Sequence, residues 1–389
     1  MKFVMITHEF PPFYGGVGTY CVELAMALHK LGYCIEVWAP NYLANQDDID
    51  RTMPFPVKRL QANGSLKIPS LLQMGRQIIR DHQQLMSRVI LLPSVGAQIM
   101  MMVGRLFHVV PSYLTYNSVC IWHGSEIYKF ESNKLLYIAA QMFFPYTKLL
   151  ASASRFSGCN LKGSILCAVK ERVITLPCAC SSPAMRNGIS IKPETNGRVR
   201  ILTLARVHHR KGHREVIEAL GKLDSETKNS IVYHIAGKSD HTDNGQYLQE
   251  LIALSKKLGI TLEYLGPVAP EKLAQAYANC EIYAMTSRTL KTSVEGFGIT
   301  YLEAGLQSKP VIGYRTGGVA EAVKDGQTGI LVDEGDIHTL SKELKKLIQD
   351  RNLRDRLGQA GRKHALTFSW ENTAQKLVDH LKRQSTYHE

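Results

Sequence analysis

No stretch of about 20 apolar residues occurs in this 389-residue chain, so no segment is long enough to cross a bilayer as a helix. The opening MKFVMITHEFPP is too short in apolar residues for a signal peptide. Eight cysteines are present but no CxxC pair, the nearest spacing being Cys178-Ala-Cys180. Scattered cysteines without a secretion signal set the expectation of reduced thiols in a cytoplasmic compartment. Low-complexity tracts and short-period repeats are also missing, which argues against a disordered chain or a solenoid. His209 and His213 lie four apart without a third ligand nearby, so no metal is expected there.

What is present is the composition of an ordinary globular protein, 44% hydrophobic and 21% charged. The length suits two domains, because single cores rarely grow past roughly 250–300 residues. The net charge is +13, with 18 Lys/Arg against 10 Asp/Glu up to Gly188. So basic an N-terminal half suits anionic lipid or nucleic acid, although an evenly solvated basic surface accounts for the charge equally well. Against nucleic acid, no binding motif appears and the aromatics are not interleaved with Lys/Arg.

Two halves repeat one rhythm of strands and helices. In the first, strands are expected at Lys2–Thr7, Cys34–Ala39, Val89–Leu92 and Val119–Trp122. Helices are expected at Thr19–Leu31, Lys67–Ser87 and Val95–Val109. The Lys67–Ser87 segment sets Leu71, Leu72, Ile78, Ile79, Leu85 and Met86 against Arg76 and Arg80, as a membrane-surface helix or an ordinary core helix would. The second half starts at Arg198–Leu204 and continues with strands at Ile231–Ala236, Thr261–Leu265, Glu281–Thr286 and Pro310–Tyr314. The Pro-containing segment Arg186–Asn196 reads as the linker. Strands alternating with helices imply parallel sheets covered on both faces. The expected fold is α/β, two Rossmann-like domains facing across a cleft.

Four motifs carry chemistry. Glu295 and Glu303 bracket the turn Gly296-Phe297-Gly298, with a helix expected to begin near Ile299. There the loop carboxylate suits sugar hydroxyls, the helix carboxylate suits a ribose diol, and the amides of Phe297 to Ile299 face an anion. Arg206 and Lys211, in RVHHRKG directly after a strand, suit a diphosphate, though a solvated basic loop has the same composition. Gly15-Gly16-Val17-Gly18 before a helix allows close approach to the backbone. It is no dinucleotide fingerprint, since Cys21 occupies the third glycine position. His123-Gly124-Ser125-Glu126 puts a histidine at a strand's carboxyl end. Asp48-Ile49-Asp50 imitates a metal-binding DxD but reads as a solvated acidic loop.

Together these residues resemble the retaining glycosyltransferases of family four, with the GT-B fold. The likeness spans nearly the whole chain, through Gly15 to Gly18, His123 to Glu126, Arg206 with Lys211, Glu295 with Glu303, Thr316 to Glu321, and Phe368-Ser369-Trp370-Glu371. The form Val294 to Ile299, preceded by Ser287-Arg288, is most similar to bacterial phosphatidylinositol and lipid-linked mannosyltransferases. The resemblance implies an acceptor-binding domain over 1–190, a nucleotide-sugar domain over 191–368 and a helix over 369–389 crossing back to the first. It implies that Arg206 and Lys211 hold the leaving diphosphate, Glu295 the sugar and Glu303 the ribose. His123 would line the sugar pocket, and Gly16 would face phosphate and acceptor. Gly237 matches the family's diphosphate loop, but Ala236-Gly237-Lys238-Ser239-Asp240 has no second glycine. The implied enzyme is a hexosyltransferase of envelope glycan synthesis that needs no metal or other cofactor. It would take GDP-mannose, or otherwise a UDP-sugar, to a glycan or lipid-linked acceptor, with peripheral contact to an anionic membrane. A sugar-nucleotide epimerase of the same fold and a basic nucleic-acid-binding protein are the alternatives.

Overall fold

The computed structural model describes residues 1–12, 15–42, 46–159, 172–180, 197–239, 245–291 and 293–386. The expected linker Arg186–Asn196, Phe13-Tyr14 of the glycine turn, and Asp240 lie outside them. The chain divides into two compact units, Met1–Cys178 with Ser369–Glu389, and Ala179–Phe368.

The first unit has strands β1 (Lys2–Ile6), β2 (Cys34–Pro40), β3 (Val57–Leu60), β4 (Val89–Leu92), β5 (Ser118–Trp122), β6 (Leu149–Ser152) and β7 (Val173–Thr175). All pair in parallel, in the order β3-β2-β1-β4-β5-β6-β7. Central strands of such a sheet are covered on both faces, so they read as unbroken apolar runs. Val89-Ile90-Leu91-Leu92 and Ser118-Val119-Cys120-Ile121-Trp122 are buried throughout. The sequence pattern indicates these strands but not β3, β6 or β7. β3 is a four-residue edge strand, Val-Lys-Arg-Leu, and β7 has only three residues, so neither shows a usable period.

The second unit has β8 (Val199–Leu204), β9 (Ile231–Ala236), β10 (Leu262–Gly266), β11 (Ile282–Met285), β12 (Val311–Tyr314) and β13 (Gly329–Val332), in the order β10-β9-β8-β11-β12-β13. Every pairing is again parallel. Each unit is therefore a Rossmann-like layered sheet. In both, strand order reverses once, between β1 and β4 in the first and between β8 and β11 in the second. Loops leaving the carboxyl ends of such a pair diverge to opposite faces and open a crevice where ligands bind.

Two expectations are corrected. Asp50 is not on a solvated loop: it lies on the helix Gln46–Thr52 and receives Arg59 Nη2 at 2.6 Å and Nε at 2.8 Å. The Lys67–Ser87 helix is shorter, Ile68–Arg80, followed by a single tight turn at His82–Leu85. Its apolar residues divide between two faces. Met74 and Ile78 enter the core, whereas Ile68 is 72% exposed and Leu72 54%. No helix among the described residues is long and apolar enough to cross a membrane.

The final helix, Trp370–Thr386, begins where Ser369 Oγ accepts the Asn372 amide at 3.0 Å, as an N-cap serine does. It packs on the helix Gly16–Lys30 within the first unit.

Candidate active site

In the second unit, β8 and β11 are register partners at Ile201–Ile282 and Leu202–Tyr283, so the loops following them start from adjacent strand ends and meet before they diverge. The β8 loop carries Arg206 to Gly212; the β11 loop runs from Thr286 to Gly298. Short bonds lock them together. Thr286 Oγ1 donates to the Gly212 carbonyl at 2.7 Å, and the Arg288 amide to the Arg210 carbonyl at 2.8 Å. Gly212 has φ +75°, and a Cβ there would stand 2.0 Å from the Thr286 carbonyl oxygen. Only glycine permits both the backbone angle and the approach.

The lock brings three charges together. Glu295 Oε2 accepts Lys211 Nζ at 2.7 Å, Arg210 Nη1 at 2.9 Å and Ser287 Oγ at 3.0 Å. Side-chain exposures are 12% for Glu295, 16% for Lys211 and 14% for Arg210. Burial works against the Glu295 carboxylate, but the two cations and the hydrogen bonds outweigh it and hold its pKa down to about 2. Burial pulls the Lys211 pKa down, only partly offset by Glu295 and reinforced by Arg210 and Arg206. One carboxylate against two half-buried cations leaves the cluster net positive, with exposed Arg206 adding to it. The Lys211 ammonium has three donors and, among the described residues, uses one on Glu295, so two can turn to an anion.

Glu295 is held from behind by the turn after β12. The Gly318 amide donates to the Glu295 carbonyl at 2.9 Å, and Thr316 Oγ1 donates to that of Ser287 at 2.8 Å. A Cβ on Gly317 would lie 2.0 Å from the Glu295 carbonyl oxygen. The Thr316 to Glu321 turn thus acts by supporting the loop. Gly298, with φ +86°, caps the helix Ile299–Leu306. The Phe297 ring is buried against Phe368, with centroids 5.7 Å apart, so Phe297 can offer a ligand only its backbone. Glu303 sits in the helix's second turn, where burial raises its pKa and Tyr277 Oη donates to it at 2.6 Å. Gly237 has φ +141°, and a Cβ would meet the Ala205 carbonyl oxygen at 2.0 Å, so this glycine lets the β9 loop close against the β8 loop.

In the first unit, His123 follows β5 and Pro93 follows β4. The Pro93 carbonyl can only accept, so His123 Nε2, 2.9 Å away, carries the hydrogen. Burial lowers the His123 pKa against the pull of Glu126, keeping the ring neutral and leaving Nδ1 as an acceptor. Glu126 is spent on the backbone, accepting the amides of His123 at 3.0 Å and Gly124 at 2.8 Å. Gln98 ties the ends of β4 and β5 by donating to the carbonyls of Leu92 and Ile121. Gly16 opens its helix, and a methyl group added to it would meet nothing within 4 Å, so no packing among the described residues requires glycine there.

Sequence reasoning missed Arg210, whose partner lies 85 residues away; its one signal was the dipeptide Arg210-Lys211. It also missed His8, which follows β1 and bonds Ser94 Oγ through its amide at 3.0 Å. His209 and His213 are not brought together as ligands. His209 stacks on Tyr247 at 3.7 Å, while His213 is fully buried. No cluster of three or more metal-ligating side chains occurs among the described residues.

Residues 188–364 match the family described as Glycosyl transferases group 1. Over those residues the chain is similar to glycosyl transferases group 1. Over 98% of both chains it is 25% identical to the GDP-mannose-dependent alpha-(1-6)-phosphatidylinositol monomannoside mannosyltransferase of Mycobacterium tuberculosis. It is 33% identical to the D-inositol 3-phosphate glycosyltransferase of Corynebacterium jeikeium, over 45% of this chain and 41% of that relative. Among solved structures, Anabaena HepE in complex with UDP and glucose superposes with a TM-score of 0.75 at 18% identity, covering 98% of this chain and 100% of that one. Sucrose-phosphate synthase from Thermosynechococcus elongatus gives 0.77 at 17% identity, with 100% of each chain covered. The chain has the GT-B fold, with its seven-stranded and six-stranded sheets as the two Rossmann-like units.

Proposed function

We propose that this protein is a glycosyltransferase that moves a hexosyl group, with retention, from a nucleotide sugar to a lipid-linked or glycan acceptor. The observation that carries this reading is the half-buried Lys211–Glu295–Arg210 cluster at the β8/β11 crevice. A diphosphate leaving with extra negative charge needs preorganised cations, and two half-buried side chains with Arg206 beside them supply these without a metal. In this reading Glu295 takes the sugar hydroxyls while fixing Lys211 and Arg210. Glu303 takes the ribose, and the amides of Gly298 and Ile299 meet the phosphate or sugar. Gly237 leaves room for the diphosphate. His123 accepts a sugar hydroxyl on Nδ1, and Gly16 lets phosphate and acceptor approach the helix start.

GDP-mannose is the favoured donor because the relative aligned along its full length is GDP-mannose-dependent. A panel of GDP- and UDP-sugars, followed by product analysis with and without acceptor lipid and with a chelator present, tests this. Transfer or slow donor hydrolysis with GDP-mannose in chelator is expected. Strict dependence on a divalent ion would remove the metal-free reading, and isomerised donor as the sole product would make the protein an epimerase.

Peripheral membrane contact belongs to the same proposal. Leu66, Ile68 and Leu72 are exposed beside Lys67, Arg76 and Arg80, an apolar ridge with basic flanks. Flotation with vesicles containing anionic lipid is expected to exceed that with neutral vesicles and to fall in the Ile68→Glu/Leu72→Glu variant. Equal flotation in all three cases would eliminate the contact.

A further inference from the structure

We infer that Trp370, at the start of the final helix, is a positioning residue that acts on His123 through Tyr20. The inference rests on the proposed function, in which His123 meets the transferred sugar. Tyr20 lies nearly perpendicular to both rings, with centroids 4.7 Å from His123 at 80° and 4.9 Å from Trp370 at 85°. Tyr20 is fully buried and Trp370 is 2% exposed. Edge-to-face pairs at this spacing have a preferred geometry, so each ring restricts the tilt of the next.

The middle of the stack and its Trp370 end are anchored. Tyr20 Oη donates to the Leu176 carbonyl at 3.1 Å, which stops the phenol sliding along its axis. Thr373 Oγ1, one turn beyond Trp370, donates to the Pro177 carbonyl at 2.8 Å, and Lys30 pairs with Glu371 at 3.3 Å. At the other end, among the described residues, the His123 ring has one side-chain hydrogen bond, Nε2 to Pro93, and a single contact of this kind does not fix the tilt of the ring. The Tyr20 ring removes this freedom and aims Nδ1. The Phe368-Ser369-Trp370-Glu371 motif thereby gains a role that the helix alone does not explain: Ser369 starts the helix and Trp370 sets the tilt of a histidine almost 250 residues earlier in the chain.

The test is a double-mutant cycle on the full chain, reading kcat for transfer, nucleotide affinity and thermal melting. His123→Ala is expected to lower kcat. Trp370→Ala is expected to lower it by on the order of 10-fold with nucleotide affinity unchanged, because misaiming a contacting group costs rate. Trp370→Leu keeps apolar volume should the alanine variant not fold, and is expected to show the same kcat loss. Trp370→Phe should recover most of the rate. With His123→Ala already in place, Trp370→Leu should cost less than about twofold more, since groups acting through one another are not additive. If the two losses multiply, or Trp370→Leu leaves kcat unchanged, the positioning role is overturned while the transferase reading stands. If His123→Ala leaves kcat unchanged, His123 does not meet the sugar and the positioning role falls with that assignment.

Discussion

Lys211→Ala is expected to lower kcat for sugar transfer by about 10²–10³-fold, equivalent to about 3–4 kcal/mol of transition-state stabilisation. The loss has two sources. The variant removes a half-buried cation proposed to face the leaving diphosphate, and among the described residues it leaves Glu295 Oε2 with Arg210 and Ser287 as partners. The cluster then falls from net positive to neutral, so the field that favours charge on the phosphate disappears. Lys211→Arg should not fully restore the rate, because a longer, planar guanidinium spreads the charge that the compact ammonium concentrates 2.7 Å from Glu295. Initial rates at saturating donor, with melting curves on the same samples, check the result. A folded Lys211→Ala enzyme within about threefold of wild type would remove Lys211 from the chemistry.

The second large effect is structural. Gly212→Ala is expected to destabilise the protein by about 3 kcal/mol, the sum of left-handed backbone strain and a clash that nothing can relieve. The added methyl would sit 2.0 Å from the Thr286 carbonyl oxygen and 2.3 Å from Thr286 Oγ1. The first of these is backbone at the end of a buried central strand and cannot rotate away. Gly259→Ala is the control, since its φ of +71° is similar but nothing lies within 4 Å. It should cost about 1 kcal/mol, from strain alone. A melting point for Gly212→Ala no lower than that of Gly259→Ala would show that the two loops are not locked as described. If they are, nucleotide affinity should fall in Gly212→Ala alone, because the same lock aims Lys211.

The architecture was legible in the sequence to the extent that its physics is local. Val89 to Leu92 and Val119 to Trp122 declare themselves as buried strands because a parallel sheet covers both faces. Glycines at 212, 298 and 317 punctuate the chain where strands hand over to helices. Glu295, Glu303 and Lys211 were picked out by position relative to those elements. What the sequence concealed was set by contacts remote in the chain. Arg210 looked like one more cation in a basic loop until the β8–β11 register placed it on a carboxylate. Asp50 looked solvated until Arg59, on the edge strand β3, reached it. Thr316 to Glu321 could be matched as a motif, but its work of bracing Glu295 follows from a 2.9 Å bond between loops of different strands.

The most direct test of the central claim is calorimetric titration, with chelator present, of wild type, Lys211→Ala and Arg210→Ala with a nucleoside diphosphate and its monophosphate. GDP against GMP comes first, and UDP against UMP second. Wild type is expected to bind the diphosphate at least about tenfold more tightly, and each substitution to erase most of that preference while leaving monophosphate affinity nearly unchanged. A diphosphate preference that survives intact in both variants would place the diphosphate elsewhere and contradict the assignment of the Lys211–Glu295–Arg210 cluster.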